Sequence, residues 1–559
     1  MATVDVDAVV IGSGAGGLTA ALALAQAGRR TLVLEQHYLP GGWCHSFELG
    51  GYKFSPGVHY LGELAPGGRA RAVYEGLGLG ADLELCELNP DGYDHILVGG
   101  ERFDYPRGKG ALADRLKRRF PHEAAGIDAY LDTCDRLSHE LDELSEIRSA
   151  WQLATLPFRC PTVARWGLRT AASLLDAHVR DPLLRAFLAG QCGDHGLPPS
   201  MAPAAVHAAV QAHYFDGGYY PRGGGAAIPR AFIRALRRAG GAIRVRAPVA
   251  RILTERERGG RRRAVGVRLA DGTEVRAATV ISNADPHITF ERLVGPENLG
   301  FWLRRRLART RWSVSAISLF FAVDMDLRAA GLDSGNWWWY ADEDVDRIYR
   351  HGLDPTAIAA GAEVDGCFLT ATTLKDPTKR TRGHHTLEAF AFVPFDPFRE
   401  WAGTRQGERP AAYEALKRDL LERMLRAVDR VVPGISDRMV FRELGTPLSK
   451  LHYCAASFGN LYGTEKSRLQ VGPWAFPVKT EIDGLLLCGA STLSHGVFGA
   501  TLSGLAAAGK ALRCRVRELL RPGGPSIRVH PSERPEAWPA ELRRKMGAGA
   551  GVPVAAAHA

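Results

Sequence analysis

The sequence predicts an α/β fold that begins with a parallel, Rossmann-type sheet, and three features near the N-terminus lead to this class. Residues 4–11 form a short, β-branched, apolar run, which is typical of a strand buried on both faces of a parallel sheet. Three glycines then follow in the spacing GxGxxG. An Ala- and Leu-rich segment at 18–27 predicts a helix, and a second apolar run at 31–34 ends at Glu35. This succession predicts a dinucleotide-binding unit.

The glycines and the acid each have a role in such a unit. Gly12 permits the tight turn, Gly14 lets the backbone approach a pyrophosphate, and Gly17 lets the helix pack closely on the strand. The phosphates would lie on the helix N-terminus, where unpaired N–H groups and the helix dipole favour negative charge. Glu35 would accept hydrogen bonds from both ribose hydroxyls and would repel a 2′-phosphate.

The overall composition is that of an ordinary globular protein. Of the 559 residues, 46% are hydrophobic and 24% are charged, so the chain can bury a large core and is expected to divide into two domains. The formal net charge of +10 is compatible with nucleic acid, with an anionic membrane, or simply with a basic proteome. The sequence has no zinc-finger or RNP-type signature, so no nucleic acid partner is expected.

The nine cysteines are scattered and contain no CxxC pair. This pattern disfavours a metal cluster and a dithiol redox centre, and it predicts reduced thiols in a cytoplasmic protein. The first strand begins near residue 4, which leaves no room for a signal or transit peptide. No run of about 18 uncharged apolar residues is present, so any contact with the inner face of a membrane would be peripheral.

Residues 71–219 have a mostly helical pattern interrupted by prolines. Within them, residues 158–180 mix arginines with Trp166, Leu174 and Leu175. Such a stretch is compatible with a helical, membrane-facing cap. The alternative is a solvated helix that packs on its own domain.

Residues 220–290 are expected to return the chain to the nucleotide-binding domain. A glycine-rich turn leads there into a helix and a strand, and the runs 264–269 and 274–281 flank Asp271 and Gly272 as a hairpin. Residues 291–444 then predict a second, strand-rich unit. Its predicted strands are 314–323, 367–373 and 386–393.

Two local clusters distinguish the strand-rich unit. The first mixes arginines with aromatic residues and is a second candidate for a membrane-facing stretch. Its members are Phe301, Trp302, Leu303, Arg304, Arg305, Arg306, Arg309, Arg311 and Trp312. The second is the aromatic run 337–340, which is compatible with an apolar pocket wall or with ordinary core packing.

Residues 481–512 predict a second place where backbone approaches a cofactor closely. A buried strand at 485–488 leads into a glycine-studded loop at 489–499, and an Ala-rich helix follows. If this part of the chain completes the nucleotide-binding domain, the substrate-binding unit is an insertion. Residues 521–559, with their prolines and small residues, are expected to form a disordered tail.

Four motifs together resemble the carotenoid desaturase superfamily of FAD flavoproteins, which includes phytoene desaturases, carotenoid isomerases and retinol saturases. They are DAVVIGSGAGGLTAALALA, LEQHYLPGG, the block YPRGGG…VRLADG…SNADP, and GLLLCGASTLSHGVFGATLSG. The segments GGWCHSF and FRELGTPLSKLHY look most like the retinol saturase and carotenoid isomerase branch. Trp43 and Ser55 stand where many desaturases have Arg and Asp, which argues against plain phytoene desaturation.

The resemblance implies an amine-oxidase-like, Rossmann-type FAD domain with an inserted α+β substrate domain and a helical cap. The FAD domain would comprise residues 1–70, 220–290 and 445–515, with the cap at 71–219 and the substrate domain at 291–444. The implied FAD-binding residues are Gly12, Ser13, Gly14, Ala15, Gly16, Gly17, Glu35, Gln36, Gly41, Gly42, Val249, Gly489, Ala490 and Gly499. His59 and Tyr60 would approach the flavin ring, with a packed aromatic strand end as the alternative.

A polyene offers no nucleophile, leaving group or acidic proton, so a flavin would carry the chemistry by exchanging hydride or electrons with a carbon. This fits a sequence without a recognisable Ser/His/Asp arrangement or metal cluster. His495 is the main candidate for a polar group near the flavin, and a structural role in its loop is the alternative. No second GxGxxG follows a strand, so electrons would come from an external donor or leave to an external acceptor.

The function implied by the resemblance is FAD-dependent desaturation or saturation of carbon–carbon bonds in an isoprenoid polyene, a carotenoid or a retinoid. One alternative is a redox-neutral cis–trans isomerase that uses reduced FAD. Others are an amine-oxidase-like flavoenzyme and a flavoprotein that binds a lipid without turning it over, because one fold hosts several chemistries.

Overall fold

The structure is a computed structural model that describes residues 3–145, 155–257 and 259–550. Two seven-stranded sheets, two smaller sheets and a set of helices make up these residues. The strands in chain order are β1 (Thr3–Ile11), β2 (Thr31–Leu34), β3 (Phe47–Leu49), β4 (Tyr52–Phe54), β5 (Glu84–Glu87), β6 (Asp94–Val98), β7 (Glu101–Tyr105), β8 (Tyr219–Pro221), β9 (Ala242–Arg244), β10 (Val249–Arg256), β11 (Arg262–Leu269), β12 (Glu274–Ser282), β13 (Ser315–Val323), β14 (Asn336–Tyr340), β15 (Gly366–Ala371), β16 (His385–Val393), β17 (Met439–Gly445), β18 (Leu485–Leu487) and β19 (Arg528–Pro531). The α-helices are α1 (Ala15–Gln26), α2 (Arg69–Gly76), α3 (Lys109–Arg119), α4 (Ala124–Ser145), α5 (Leu156–Arg159), α6 (Pro161–Trp166), α7 (Ala171–His178), α8 (Pro182–Ala189), α9 (Ala204–His213), α10 (Ala227–Arg238), α11 (Phe301–Arg309), α12 (Val345–Gly352), α13 (Pro355–Ala359), α14 (Thr372–Lys375), α15 (Ala411–Val431), α16 (Pro447–Cys454), α17 (Gly496–Leu512) and α18 (Ala540–Ala550).

The first sheet has the order β10-β11-β12-β1-β2-β9, and β18 pairs with β12 beside this path. Strand β1 runs parallel to β2 and β12, and β9 and β18 extend the parallel part. The predicted strand, turn, helix and strand at the N-terminus are confirmed as β1, α1 and β2, and the predicted hairpin is confirmed as β11 and β12. Helix α1 is buried along nearly its whole length because α10 and α17 pack against it.

The second sheet has the order β17-β13-β16-β15-β14-β6-β7. Its pairs are antiparallel except β14 with β6. The three strands predicted in the strand-rich unit are confirmed as β13, β15 and β16. The region 71–219 is mostly helical as expected, but it also contains three strands that the sequence analysis missed: β6 and β7 complete the second sheet, and β5 belongs to a third. The β6–β7 hairpin turns at Gly99 and Gly100, which is a local signal, whereas the pairing of β6 with β14 more than 200 residues later has none.

The helices between residues 109 and 213 pack with one face of the second sheet in a common core. Trp166, Leu174 and Leu175 belong to this core and are at most 2% exposed. Of the two readings of this stretch, packing on the protein's own domain is confirmed for these three side chains and contact with a bilayer is wrong for them, because α6 and α7 turn their apolar sides toward α4 and α9. Phe158 and Leu168 of the same stretch are exposed.

The expectation of a disordered tail from residue 521 is wrong over the described residues, which reach position 550. Strand β19 pairs in parallel with β5, and α18 follows it. Trp538 is only 2% exposed, and its indole Nε1 donates a hydrogen bond to the Pro531 carbonyl at 2.7 Å. One buried tryptophan and a short strand thus anchor a segment whose composition resembles that of a disordered chain.

Over the described ranges, none of the helices combines the length and the apolar character needed to span a membrane.

Candidate active site

The glycine turn after β1 forms the first wall of the candidate site. Gly12 has a φ of +87°, and Gly14 is the N-cap of α1. A Cβ at Gly17 would lie 2.2 Å from the Gly12 carbonyl oxygen, so only glycine lets the helix approach the strand this closely. The N-terminus of α1 therefore lies directly at the carboxyl edge of the sheet, where an anionic pyrophosphate is favoured.

Asn283, the residue after β12, holds this turn in place. Its Oδ1 accepts a hydrogen bond from the Gly17 amide at 3.0 Å, and a Cβ at Gly14 would lie 2.5 Å from its Nδ2. The same side chain is close to Gly489, where an added Cβ would be 3.1 Å from Oδ1. Asn283 thus links the early and late glycine loops. The sequence block SNADP contained it, but sequence reasoning gave it no role.

Glu35 lies at the end of β2, beside the glycine turn. Its carboxylate accepts hydrogen bonds from the Ser13 amide at 2.9 Å, the Ser13 hydroxyl at 2.6 Å and the His37 amide at 2.8 Å. The Ser13 hydroxyl oxygen in turn accepts from the Gly41 amide at 3.0 Å. The carboxylate is therefore preorganised as an acceptor at the edge where a ribose would lie, and the second glycine pair is tied to the first turn.

A cavity of about 2170 Å³ starts at these loops. It meets the ends of four parallel strands, where open α/β sheets bind their ligands. The predicted residues that line it are Gly12, Ser13, Gly14, Ala15, Glu35, Gln36, Gly41, Gly42, His59, Tyr60, Val249, Gly489, Ala490, His495 and Gly499. Gly16 and Gly17 lie behind this wall, inside α1. Because pockets for one small ligand usually measure roughly 300–1,000 Å³, the cavity has room for a dinucleotide and a second molecule.

The late loop after β18 forms the opposite wall. Gly489 has a φ of +101°, and its amide donates to the Ser503 hydroxyl at 2.7 Å. The Ala490 carbonyl accepts a hydrogen bond from the buried Lys466 ammonium. Burial lowers the pKa of Lys466 to about 7. A lysine with a pKa near neutral pH therefore lies at this wall. Sequence reasoning missed it because residue 466 is outside every recognised motif.

His495 precedes α17 and lines the same wall. Its Nε2 donates a hydrogen bond to the Asp194 backbone carbonyl at 2.8 Å, and its ring contacts that of Tyr462. Burial lowers the pKa of His495 to about 3, so the imidazole is neutral at physiological pH. The structure thus gives His495 a hydrogen-bonding contact with the turn that carries Asp194, and its catalytic role stays a prediction.

His59 and Tyr60 meet different neighbours although they are adjacent in sequence. The His59 Nδ1 lies 3.3 Å from the Glu388 carboxylate, and the His59 ring packs against Phe368 and Phe390. Tyr60 stacks on Tyr214 with ring centroids 4.2 Å apart. Both side chains lie at the cavity wall, in a region dominated by aromatic rings. Their approach to a flavin ring stays a prediction.

The tryptophan run 337–339 takes both of the roles considered for it. It forms β14, in which alternate side chains point to opposite faces of the sheet. Trp338 lines the cavity together with Phe368 and Phe390, whereas Trp337 belongs to the core on the opposite face. The inner part of the cavity is therefore bounded by flat apolar rings.

Cys192, His195 and His207 form a fully buried group that sequence reasoning did not single out, with candidate ligand atoms within 4.8 Å of one another. Hydrogen bonding accounts for most of their polar atoms. The Cys192 thiol lies 3.7 Å from His207 Nδ1, and His207 Nε2 is 2.8 Å from the Tyr130 hydroxyl. The Leu197 amide donates to His195 Nδ1, which puts the proton of that neutral ring on Nε2. We interpret this group as a hydrogen-bonded part of the core.

The glycine cradle, the acid at the end of β2 and the oversized cavity define a class: a dinucleotide-binding α/β protein with space for a second ligand against the dinucleotide. The cradle fits FAD, since Gly12 and Gly14 line the cavity without a side chain at the N-terminus of α1 and Glu35 offers an acceptor beside them. The sequence profile described as flavin containing amine oxidoreductase matches residues 15–512, and the chain belongs to this family. It is an FAD-dependent oxidoreductase, as the sequence predicted.

Two kinds of named relatives cover most of the chain. The all-trans-retinol 13,14-reductase of Danio rerio is 30% identical over 535 residues, which span 90% of this chain and 85% of that protein. The chloroplastic prolycopene isomerase of Arabidopsis thaliana is 28% identical over 514 residues, which span 89% of this chain and 81% of that protein. The resemblance to the retinol saturase and carotenoid isomerase branch is thereby confirmed.

Solved structures share the fold. A putrescine oxidase variant has a TM-score of 0.59 at 17% identity and covers 91% of this chain and 99% of its own. An oxidoreductase from Methanosarcina mazei has a TM-score of 0.58 at 16% identity, with coverages of 89% and 99%. At these identities the likeness concerns the fold alone, and it confirms the predicted amine-oxidase-like α/β class.

Proposed function

We propose that this FAD-dependent oxidoreductase saturates or desaturates carbon–carbon bonds of an isoprenoid polyene, a carotenoid or a retinoid. The observation that carries the proposal is the single cavity that joins the glycine cradle to an inner wall of aromatic rings. A rigid, flat, apolar substrate fits such a wall, and relatives over 85% and 81% of their own length are named for a retinol and for prolycopene.

The residues of this chain would bind and orient the two reactants. The glycine cradle and Glu35 would hold the ADP part of FAD, and the loop at 489–499 would lie beside the isoalloxazine. Bound FAD supplies the two-electron chemistry that a polyene requires. Trp338, Phe368 and Phe390 would hold the polyene by ring contacts and exclude water from the reacting bond.

The isomerase alternative keeps one specific support, the relative named prolycopene isomerase at 28% identity. The same cradle and the same apolar wall serve a reaction in which reduced FAD is present and product mass does not change. The oxidoreductase adds or removes hydrogen and the isomerase does neither, so product mass distinguishes the two functions and substrate binding does not. An amine oxidase or a lipid-binding flavoprotein would leave every polyene unchanged.

The partner of the reaction is proposed to be a membrane that stores the polyene, reached from its inner face. Three exposed apolar side chains, Leu168, Trp474 and Leu493, lie on the cavity lining. On α11, whose Arg306 contacts the Trp474 carbonyl, Phe301 and Trp302 are 60% and 77% exposed. Together these five side chains form what we call the mouth surface, and an apolar patch at a cavity entrance marks a docking site.

Basic residues accompany the mouth surface. Arg304, Arg305 and Arg309 are exposed on α11, and the Arg306 guanidinium donates a hydrogen bond to the Trp474 carbonyl at 2.5 Å, which fixes α11 beside the cavity lining. Arg468 lines the cavity and donates to the Leu168 carbonyl at 3.3 Å. Arginines around exposed aromatic rings suit anionic headgroups around apolar acyl chains. An external electron donor or acceptor completes the proposal.

The test is product mass. Purified, flavin-loaded protein is incubated anaerobically with a panel of carotenoids and retinol, with the flavin either oxidised or chemically reduced. A product that gains or loses two hydrogens supports the proposal and gives the direction. An unchanged mass at a new retention time would instead establish the isomerase, and an unchanged panel alongside an oxidised amine would overturn the polyene substrate.

A further inference from the structure

Two buried carboxyl groups share one hydroxyl at the cavity wall. Tyr60 Oη lies 3.0 Å from Asp94 Oδ2 and 2.7 Å from Asp194 Oδ2. The three residues come from separate parts of the chain: the loop after β4, the start of β6 and the short turn after α8. Tyr60 and Asp194 line the cavity, whereas Asp94 lies behind them with no exposed surface.

Counting hydrogens decides which carboxyl group is protonated. The Tyr60 hydroxyl has one proton and can donate it to only one of the two acids. Asp94 already accepts from Gln191 Nε2 at 2.6 Å and from Asn336 Nδ2 at 2.9 Å, which favours its ionised form. Tyr60 therefore donates to Asp94, and the 2.7 Å contact is made by a protonated Asp194 that donates to the phenol oxygen.

The electrostatics agree with this assignment. Burial, followed by the charge of Asp94, raises the pKa of Asp194 to about 8, whereas hydrogen bonds limit the rise of the Asp94 pKa to about 6. The other titratable groups that face the pair are Lys375, which acts on Asp94, and Tyr93, Tyr105, Cys192, Tyr214, Tyr340, Tyr462 and His495. Of these, Lys375 is the one amine, and it lies on the side of Asp94, where burial lowers its pKa to about 7.

We propose that Asp194 is a catalytic acid that protonates the polyene, so that the enzyme runs in the saturating direction; this inference rests on the proposed function. One alkene carbon would take a hydride from reduced FAD, which is thereby oxidised. The Asp194 O–H group would turn from the Tyr60 oxygen toward the neighbouring carbon, which would take the proton as the O–H bond breaks. Asp194 is left as a carboxylate and regains a proton from solvent before the next turnover.

Tyr60 and Asp94 are positioning residues in this scheme. Tyr60 holds the Asp194 carboxyl against the cavity wall, and Asp94 fixes the direction of the Tyr60 hydroxyl. Stacking on Tyr214 fixes the Tyr60 ring itself. A desaturase would need the opposite state, an ionised carboxylate able to accept a proton, and the shared hydroxyl works against that state.

The first experiment measures the protonation state without turnover. Infrared spectra of the oxidised holoenzyme are compared between pH 6 and pH 10 for the wild type and Asp194→Asn. We expect a protonated carboxyl band in the wild type that titrates near pH 8 and is missing in the variant. Asp128→Asn, an exposed change on α4, serves as the control and should keep the band. A spectrum that Asp194→Asn leaves unchanged would overturn the proposal, whatever the substrate of the enzyme.

The second experiment follows single turnovers. Holoenzyme reduced with dithionite is mixed with the polyene that the mass test identifies, and flavin reoxidation is recorded. We expect Asp194→Asn to slow the step by roughly 10²- to 10⁴-fold, the usual contribution of general acid catalysis. The wild-type rate should fall as pH rises through about 8, because the protonated form is lost there. Asp194→Glu keeps a carboxyl group and should retain this pH limb at a lower rate.

The outcomes separate the inference from the function on which it rests. Equal rates and an equal pH limb in the wild type and Asp194→Asn would overturn the role of Asp194 and leave the proposed function standing. A wild type that only removes hydrogens or only isomerises would overturn the saturating direction. A wild type that acts on no polyene would overturn the proposed function, and the infrared titration would then still decide whether Asp194 is a cavity acid.

Discussion

At the scale of single residues, Glu35 combines a structural and a binding role. It holds the Ser13 amide and hydroxyl, and through Ser13 it reaches the Gly41 amide, so one carboxylate ties two glycine loops together. The two Ser13 donors and the His37 amide occupy three of the four acceptor sites of the carboxylate, and the fourth, on Oε1, would accept a hydrogen bond from a ribose hydroxyl in the cavity that Glu35 lines. Loss of the Glu35 carboxylate should therefore lower FAD affinity more than loss of an ordinary contact would.

We predict that Glu35→Ala raises the dissociation constant for FAD by roughly 10- to 100-fold, since charge-assisted hydrogen bonds contribute about 1.5–3 kcal/mol. Flavin content after gel filtration and titration of the apoprotein measure the effect. Glu48→Ala, an exposed change on β3, is the matched control and should leave flavin content unchanged. Full retention of flavin by Glu35→Ala would contradict the role given to this residue.

Single residues also mark where sequence reasoning reached its limit. The glycines and Glu35 could be assigned because the motif that contains them is local and ordered by spacing. Asp94 and Asp194 are 100 positions apart and meet only through Tyr60, so no spacing rule connects them. Lys466 and Asn283 were missed for the same reason, because their neighbours come from distant segments. Only the folded chain brings these groups together.

At the scale of elements, strands and helices could be predicted where their packing partners are close in sequence. Units whose strands and helix are consecutive, such as β1, α1 and β2 or the β11–β12 hairpin, follow from pattern and turn chemistry. Strand β19 does not, because it pairs with β5 more than 400 residues away in sequence. The β6–β7 hairpin has a local signal in its turn at Gly99 and Gly100, which was missed, but the pairing of β6 with β14 has none. Burial of Trp538 stabilises the β19 segment, and composition alone cannot reveal such a contact.

We predict that Trp538→Ala destabilises the protein by about 3–5 kcal/mol, since it removes a large buried ring and a hydrogen bond to Pro531. Denaturant unfolding of the holoenzyme measures this change. Trp302→Ala removes the same side chain from an exposed position and should cost within about 0.5 kcal/mol. If both variants unfold at the same denaturant concentration, the C-terminal strand contributes nothing and the tail behaves as a disordered segment.

At the scale of the whole molecule, the cavity lining and the mouth surface share three exposed side chains, Leu168, Trp474 and Leu493. Membrane contact and substrate entry would therefore occur at the same place. A polyene would leave the acyl region between Leu168, Trp474 and Leu493 and reach the aromatic wall without crossing water. Sequence reasoning identified the arginine-rich stretch at α11, but its place beside the cavity depends on the contact between Arg306 and Trp474.

We predict that Arg304→Glu combined with Arg305→Glu weakens binding to anionic vesicles by roughly 30-fold or more at low salt, because each basic residue near such a surface contributes about 1 kcal/mol and reversal adds repulsion. Higher salt should reduce the difference in vesicle binding between the wild type and the variant, because it screens the charges. Vesicle co-sedimentation measures the binding of each protein. The matched control is Arg418→Glu with Arg430→Glu, two exposed arginines on α15, which does not line the cavity.

The same vesicles separate charge from apolar insertion. Trp302→Ala should weaken binding at every salt concentration, because insertion of an indole depends on apolar area and not on charge. If the control pair lowers binding as much as the α11 pair, the attraction is a general effect of net charge and the mouth surface has no special part in it. If the wild type does not bind anionic vesicles at low salt, the polyene must reach the cavity by another route, and the membrane part of the proposal is wrong.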